Sequence, residues 1–135
     1  MEVRAATSVS EGGSLGVRKP LYQLKAEFFK TLAHPARIRV LELLVEREQA
    51  VGELLPEVGI EPANLSQQLA VLRRAGVVQT RKEGSTVYYS LTSSEVAELL
   101  AVARKILLSV LTGQVELLED LQGVGARAPS RAGRG

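Results

Sequence analysis

Apolar positions along the chain recur mostly at helical spacing, and in one stretch they alternate instead. Leu21, Leu24, Phe28 and Leu32 fall at i, i+3, i+7 and i+11, with Phe29 widening the stripe. The spacing predicts a helix over Leu21–Ala33 that stops before His34-Pro35, because a residue preceding proline is biased away from helical angles. A second helix starts at Pro35, with Ile38, Leu41, Leu44 and Val45 as its buried face and Arg37 and Arg39 elsewhere on it. Ala50 to Val58 reads as a short apolar helix ended by Gly59, with Pro56 tolerable only within its first turn. From Pro62 to Ala75 the stripe is Leu65, Leu69 and Leu72, flanked by Ala70 and Val71. Pro62 suits a first helical position and Gly76 the residue just past the end.

At Val77 the period becomes two. Val78 and Thr80 alternate with Gln79 and Arg81, and Val87, Tyr89 and Leu91 alternate with Tyr88 and Ser90. Glu83-Gly84-Ser85 supplies the turn between the two runs, so the pattern predicts a β-hairpin. A last helix follows from Ser94 to Leu121, with Thr92 as candidate cap. At about 1.5 Å per residue it extends roughly 40 Å, and Gly113 is its expected weak point. The fold class expected is mainly α with a small β-hairpin: four helices, the hairpin, then the long helix. A short helix, a glycine turn and a polar-faced helix make a helix-turn-helix, and the hairpin adds a wing.

The last helix carries more apolar surface than one small core can cover. Val96, Leu99, Leu100, Ala103, Ile106, Leu107, Val110 and Leu111 form one stripe that continues at Leu117, Leu118 and Leu121, while Val102, Leu108 and Val115 lie outside it. A second copy of the chain is the expected cover, with a seam built on Leu21, Leu24, Phe28, Leu99, Ala103, Ile106, Leu107, Val110 and Leu111. The alternative is a wholly intramolecular helix.

Composition narrows the chemistry. The chain has 135 residues, enough for one domain, and its hydrophobic fraction of 45% is high enough that most of it should fold. Aromatic residues are 4% and tryptophan is absent, so the core must be built from Leu, Val and Ala. With no cysteine there are no disulfides, thiolate nucleophiles or thiolate metal ligands. His34 and Asp120 each stand alone in the chain, and no nucleophile-and-base pattern accompanies them, so an enzyme is not expected. His34 reads as a cap or packing group. The net charge of +2 does not argue for nucleic acid by itself; the distribution of charge must. Charges interrupt every apolar run, so no membrane segment is expected and a cytoplasmic location is the simplest reading.

That distribution favours the fourth helix. Asn64, Ser66, Gln67 and Gln68 crowd its first turns with groups that both donate and accept, as base edges require; Asn and Gln can bond adenine bidentately. Arg73, Arg74, Arg81 and Lys82 lie close enough in sequence to neutralise phosphates without reading bases. The competing reading is an amphipathic helix whose outer face is polar only for solubility. Residues 1–20 read as a flexible arm bearing Arg4, Arg18 and Lys19, and residues 122–135 as a disordered basic tail bearing Arg127, Arg131 and Arg134.

The runs TLAHPARIRVLELL (31–44), VGELL (51–55), NLSQQLAVLRRAGVV (64–78) and RKEGSTVYYSL (81–91) occur in an order that resembles the ArsR/SmtB family of bacterial winged-helix regulators. The resemblance covers residues 21 to 121. It implies a homodimer on a two-fold symmetric operator, most often a repressor released by an inducer. It also implies that Ser66, Gln67 and Gln68 read DNA while Arg81 and Lys82 act from the wing. Three features depart from the pattern. Ala50, Val51 and Gly52 replace the Cys-Val-Cys of the family's thiolate sensors, the last helix lacks the histidines of a second metal site, and Ser85 stands where the wing tip is often basic. The expectation is therefore a metal-independent, cofactor-free DNA-binding repressor, whose inducer, if any, is a small molecule or a protein. The alternative is a winged-helix interaction or dimerisation module without specific DNA binding.

Overall fold

The computed structural model describes residues 18–123; the remaining arm and tail expectations lie outside them. Helix α1 spans Leu21–Leu32 and α2 Pro35–Glu46. His34 separates them as the cap of α2, its Nδ1 accepting a 3.1 Å bond from Ala36 N–H. An accepting Nδ1 leaves the ring proton on Nε2. Helix α3 covers Val51–Val58 and α4 Pro62–Arg74, joined by a turn in which Gly59 takes φ +73°, a conformation that favours glycine. Pro56 sits in the second turn of α3 rather than the first. Its lost bond would have gone to Gly52 within a helix that ends two residues later, so little of the ladder is sacrificed.

The hairpin consists of β2 (Val78–Glu83) and β3 (Thr86–Leu91), paired from Val78↔Leu91 to Glu83↔Thr86. A two-residue strand that periodicity did not predict, β1 (Gln49–Ala50), pairs with the other edge of β3 through Gln49↔Tyr89 and Ala50↔Tyr88. The sheet is therefore three-stranded and antiparallel in the order β1-β3-β2. Gln49 is buried, and its amide donates a 2.7 Å bond to Leu43 O near the end of α2.

The core is aliphatic. Val40 and Leu41 of α2, Leu54 of α3, and Leu65, Leu69 and Leu72 of α4 are wholly enclosed, and Val77, Val78 and Val96 join them. Burying α4 along this Leu65–Leu69–Leu72 stripe fixes which of its faces is left outward. Helix α5 spans Ser94–Leu121 and runs unbroken through Gly113. Its cap is Ser93, whose Oγ accepts from Glu95 N–H at 3.1 Å. Thr92 instead donates its hydroxyl to Gly76 O at 2.8 Å, tying the foot of the wing to the end of α4.

Beyond Leu100, every residue of α5 except Glu119 is exposed. Leu107 is 56% exposed, and Ile106, Val110, Leu111, Leu117 and Leu121 are also open. On α1, Leu21 and Leu24 are exposed, whereas Phe28 packs partly on the core. Val45, expected inside, faces an open groove of about 590 Å³ between α2 and α5 together with Leu100 and Leu107. No described helix is long and apolar enough to cross a membrane.

Candidate nucleic-acid interface

With its leucines inward, α4 turns Ser66, Gln67, Arg73 and Arg74 to the exterior. Ser66, Ala70, Arg73 and Arg74 line one side of an open cleft of about 430 Å³, and Tyr89 of β3 lines the other. The side chains of both arginines, and of Lys82 on β2, have no hydrogen-bond or ion-pair partner among the described residues. Ser85 is exposed at the wing tip, next to Gly84 with φ +63°. The structure thus gathers Ser66, Gln67, Arg73 and Arg74 on one helix face beside the wing. Tyr89 and Ala70 were not anticipated there.

Two of the expected contact residues are committed elsewhere. Gln68 is 8% exposed. Its Oε1 accepts a 2.8 Å bond from Arg37 Nε, and its Nε2 donates to Asn64 Oδ1 at 2.8 Å. It is an internal strut, not an open base reader, because position 68 lies beside Leu65 and Leu69 on the buried side. Arg37 also donates to Thr31 O at 2.7 Å, so one guanidinium on α2 joins the end of α1 to the middle of α4. Nothing in the local sequence marks a bond that spans 31 positions.

Arg81 is the second. Its Nε donates to both carboxylate oxygens of Glu48 at 2.7 Å, its Nη1 donates to Glu83 Oε1 at 2.8 Å, and the guanidinium lies 4.7 Å from the Tyr88 ring centroid. The bonds to Glu48 first, and to Glu83 second, push its pKa above the ordinary arginine value. The charge expected to meet phosphate is already answered by carboxylates. What the arginine does here is brace the wing: Glu48 precedes β1 and Arg81 sits on β2, so their bond crosses the central strand. Among the described residues, no three His, Asp or Glu side chains converge as a metal site would need.

At the start of the helix-turn-helix, Glu53 Oε1 accepts from Ala50 N–H at 2.9 Å, satisfying an otherwise orphan donor of α3. That bond is the main reason its carboxyl pKa lies below the ordinary value, with Arg47 helping and desolvation opposing.

The family profile for bacterial regulatory proteins of the arsR family matches residues 34–80, which hold α2, the helix-turn-helix and the first residues of the wing. The HTH-type transcriptional regulator Rv0081 of Mycobacterium tuberculosis is 64% identical over 109 residues, covering 80% of this chain and 96% of that one. This chain belongs to the ArsR family. The crystal structure of Rv0081 superposes with a TM-score of 0.68 at 66% identity, over 73% of this chain and 99% of that chain. The Biofilm growth-associated repressor of Xylella fastidiosa is 45% identical over 75 residues, 56% of this chain and 66% of that protein. A homodimeric winged helix-turn-helix domain from Mycobacterium bovis, Mb0332, superposes with a TM-score of 0.62 at 31% identity, over 67% of this chain and 84% of that one. The ArsR-family chain is a transcriptional regulator with a winged helix-turn-helix fold, and not an enzyme.

Proposed function

We propose that this regulator is a homodimeric repressor that binds a pseudo-palindromic operator independently of metal ions. The observation that carries the DNA reading is the outward face of α4: Ser66 and Gln67 offer hydrogen bonds to base edges, and the side chains of Arg73 and Arg74 stand unpaired about two turns further on. Lys82 and Ser85 serve the wing side of the same surface. Asn64 belongs to this surface, while Gln68 and Arg81 hold it in place.

The dimer follows from apolar surface that the monomer leaves uncovered. Leu21, Leu24, Ile106, Leu107, Val110 and Leu111 stay open, and with Phe28, Leu99 and Ala103 they form the proposed seam on α1 and α5. Metal independence rests on the donor set. Soft ions want thiolates, harder ones several converging His or carboxylate ligands, and this chain has no cysteine and one histidine that already serves as a helix cap.

The test is selection of duplexes by the purified protein from a random pool, followed by footprinting. Two half-sites about one helical turn apart, or a multiple of it, are expected, with unchanged affinity when zinc, cadmium, nickel or arsenite is added. Failure to enrich any sequence over random DNA would overturn the repressor reading in favour of an interaction module. A metal effect reversed by a chelator would overturn the metal independence alone.

A further inference from the structure

We propose that Asn64 meets the duplex as a hydrogen-bond donor only, its polarity imposed from the protein interior by Arg37 acting through Gln68. This rests on the reading of α4 as the DNA-contacting helix.

The polarity is forced one bond at a time. A guanidinium has five N–H donors and no acceptor, so the atom of Gln68 that lies 2.8 Å from Arg37 Nε must be the carbonyl oxygen. Arg37 is itself held, because it also donates to Thr31 O at 2.7 Å. With its oxygen so placed, Gln68 can offer only its NH2 group towards α4's first turn. The atom of Asn64 at 2.8 Å must therefore be an acceptor, Oδ1. Asn64 Nδ2 is left over. It has no partner among the described residues, and Asn64 is half-exposed at the third position of α4.

An amide free to rotate can present an acceptor and a donor together, the pair that adenine recognition uses. Here the oxygen is turned inward to Gln68. What remains outward is a pair of N–H groups near the amino end of a 13-residue helix, where the backbone also favours acceptors. The matching partner on DNA is an oxygen or nitrogen acceptor: a phosphate oxygen, or guanine O6 and N7. Gln68 is thus a positioning residue, and Arg37 positions it in turn.

The discriminating variant is Gln68→Glu. Its carboxylate keeps the bond to Arg37 but can only accept, so it draws Asn64 Nδ2 inward and turns Oδ1 to the duplex. On the selected operator, Asn64→Ala should cost roughly tenfold or more in affinity, one hydrogen bond being lost in each half-site. Gln68→Glu should cost at least as much in the wild-type background and less than about twofold when added to Asn64→Ala, as a double-mutant cycle of coupled residues requires. An equal loss in both backgrounds would show that the new charge acts directly and would overturn the proposal. Side-chain amide exchange in the free protein gives a readout independent of DNA. Fast exchange at Asn64 and slow exchange at Gln68 are expected, with Asn64 becoming slow in Gln68→Glu; slow exchange at Asn64 in the unmodified protein would overturn the proposal. A loss for Asn64→Ala confined to the operator assigns a base acceptor, and an equal loss on random duplex assigns phosphate. If no duplex binds at all, the functional reading fails and takes this proposal with it. If duplex binds and the cycle shows no coupling, only this proposal fails.

Discussion

Lys82 and Arg81 are adjacent on β2, yet the structure assigns them opposite behaviour towards salt. Lys82 has no counter-charge among the described residues, whereas Arg81 is held by Glu48 and Glu83. A cation that neutralises one phosphate contributes about 0.9 to the slope of log K against log salt. With Lys82 present in each protomer of a dimer, Lys82→Ala should flatten the slope by about 1.8, and the variant should lose roughly tenfold less affinity than the wild type over a fourfold rise in salt. Arg81→Ala should leave the slope where it was, because the guanidinium releases no counterion that its carboxylates have not already replaced. Any affinity it loses should be the same at every salt concentration, the signature of a displaced wing. The assay is fluorescence anisotropy of an operator duplex titrated at a series of potassium chloride concentrations. Equal flattening by the two variants would refute the reasoning, since it would mean that Arg81 exchanges Glu48 for phosphate on binding.

Other consequences can be checked separately. Leu107→Arg places a charge where the proposed seam is dry but the monomer surface is open, so light scattering should report a folded monomer with unchanged helical circular dichroism; a dimer would refute the seam. Leu69→Ala removes a side chain that is 1% exposed and should cost about 2–5 kcal/mol in urea unfolding, against under 1 for a surface change. The lowered pKa of Glu53 means that its bond stabilises the fold fully above its ordinary value of 4.5 and is lost as pH falls through the lowered one. The stability gap between wild type and Glu53→Gln, measured by unfolding at several pH values, should therefore close in acid; a gap that persists there would remove the assignment.

Periodicity placed the five helices and the hairpin because a stripe records apolar surface in need of cover, found in the chain's own core on α2 and α4 and left open on most of α5. It missed β1, since two residues cannot display a period and Gln49 is a polar residue buried for its bond to Leu43 O. It chose Thr92 as the cap because Glu95 lies three residues further on, and could not register that Thr92 is taken by Gly76 O while Ser93 Oγ accepts from Glu95 N–H. In the candidate interface, residue type was legible and availability was not. Gln67 and Gln68 are chemically identical neighbours, yet the helix turn between them sends one outward and the other to Arg37. Arg81 and Lys82 look alike as cations until Glu48, 33 positions away, is brought beside one of them.

The brace across β3 also bears on the thermodynamics of association. The wing is stitched to β1 on one edge, to Glu48 across its face and to Gly76 at its foot, so it has little left to order when a duplex arrives. A surface assembled beforehand avoids the entropy that a folding loop would surrender, and its binding should lack the large negative heat-capacity change that accompanies coupled folding. Accommodation to an imperfect half-site then has to come from the bending of the DNA, or from the angle between the two protomers of the proposed dimer.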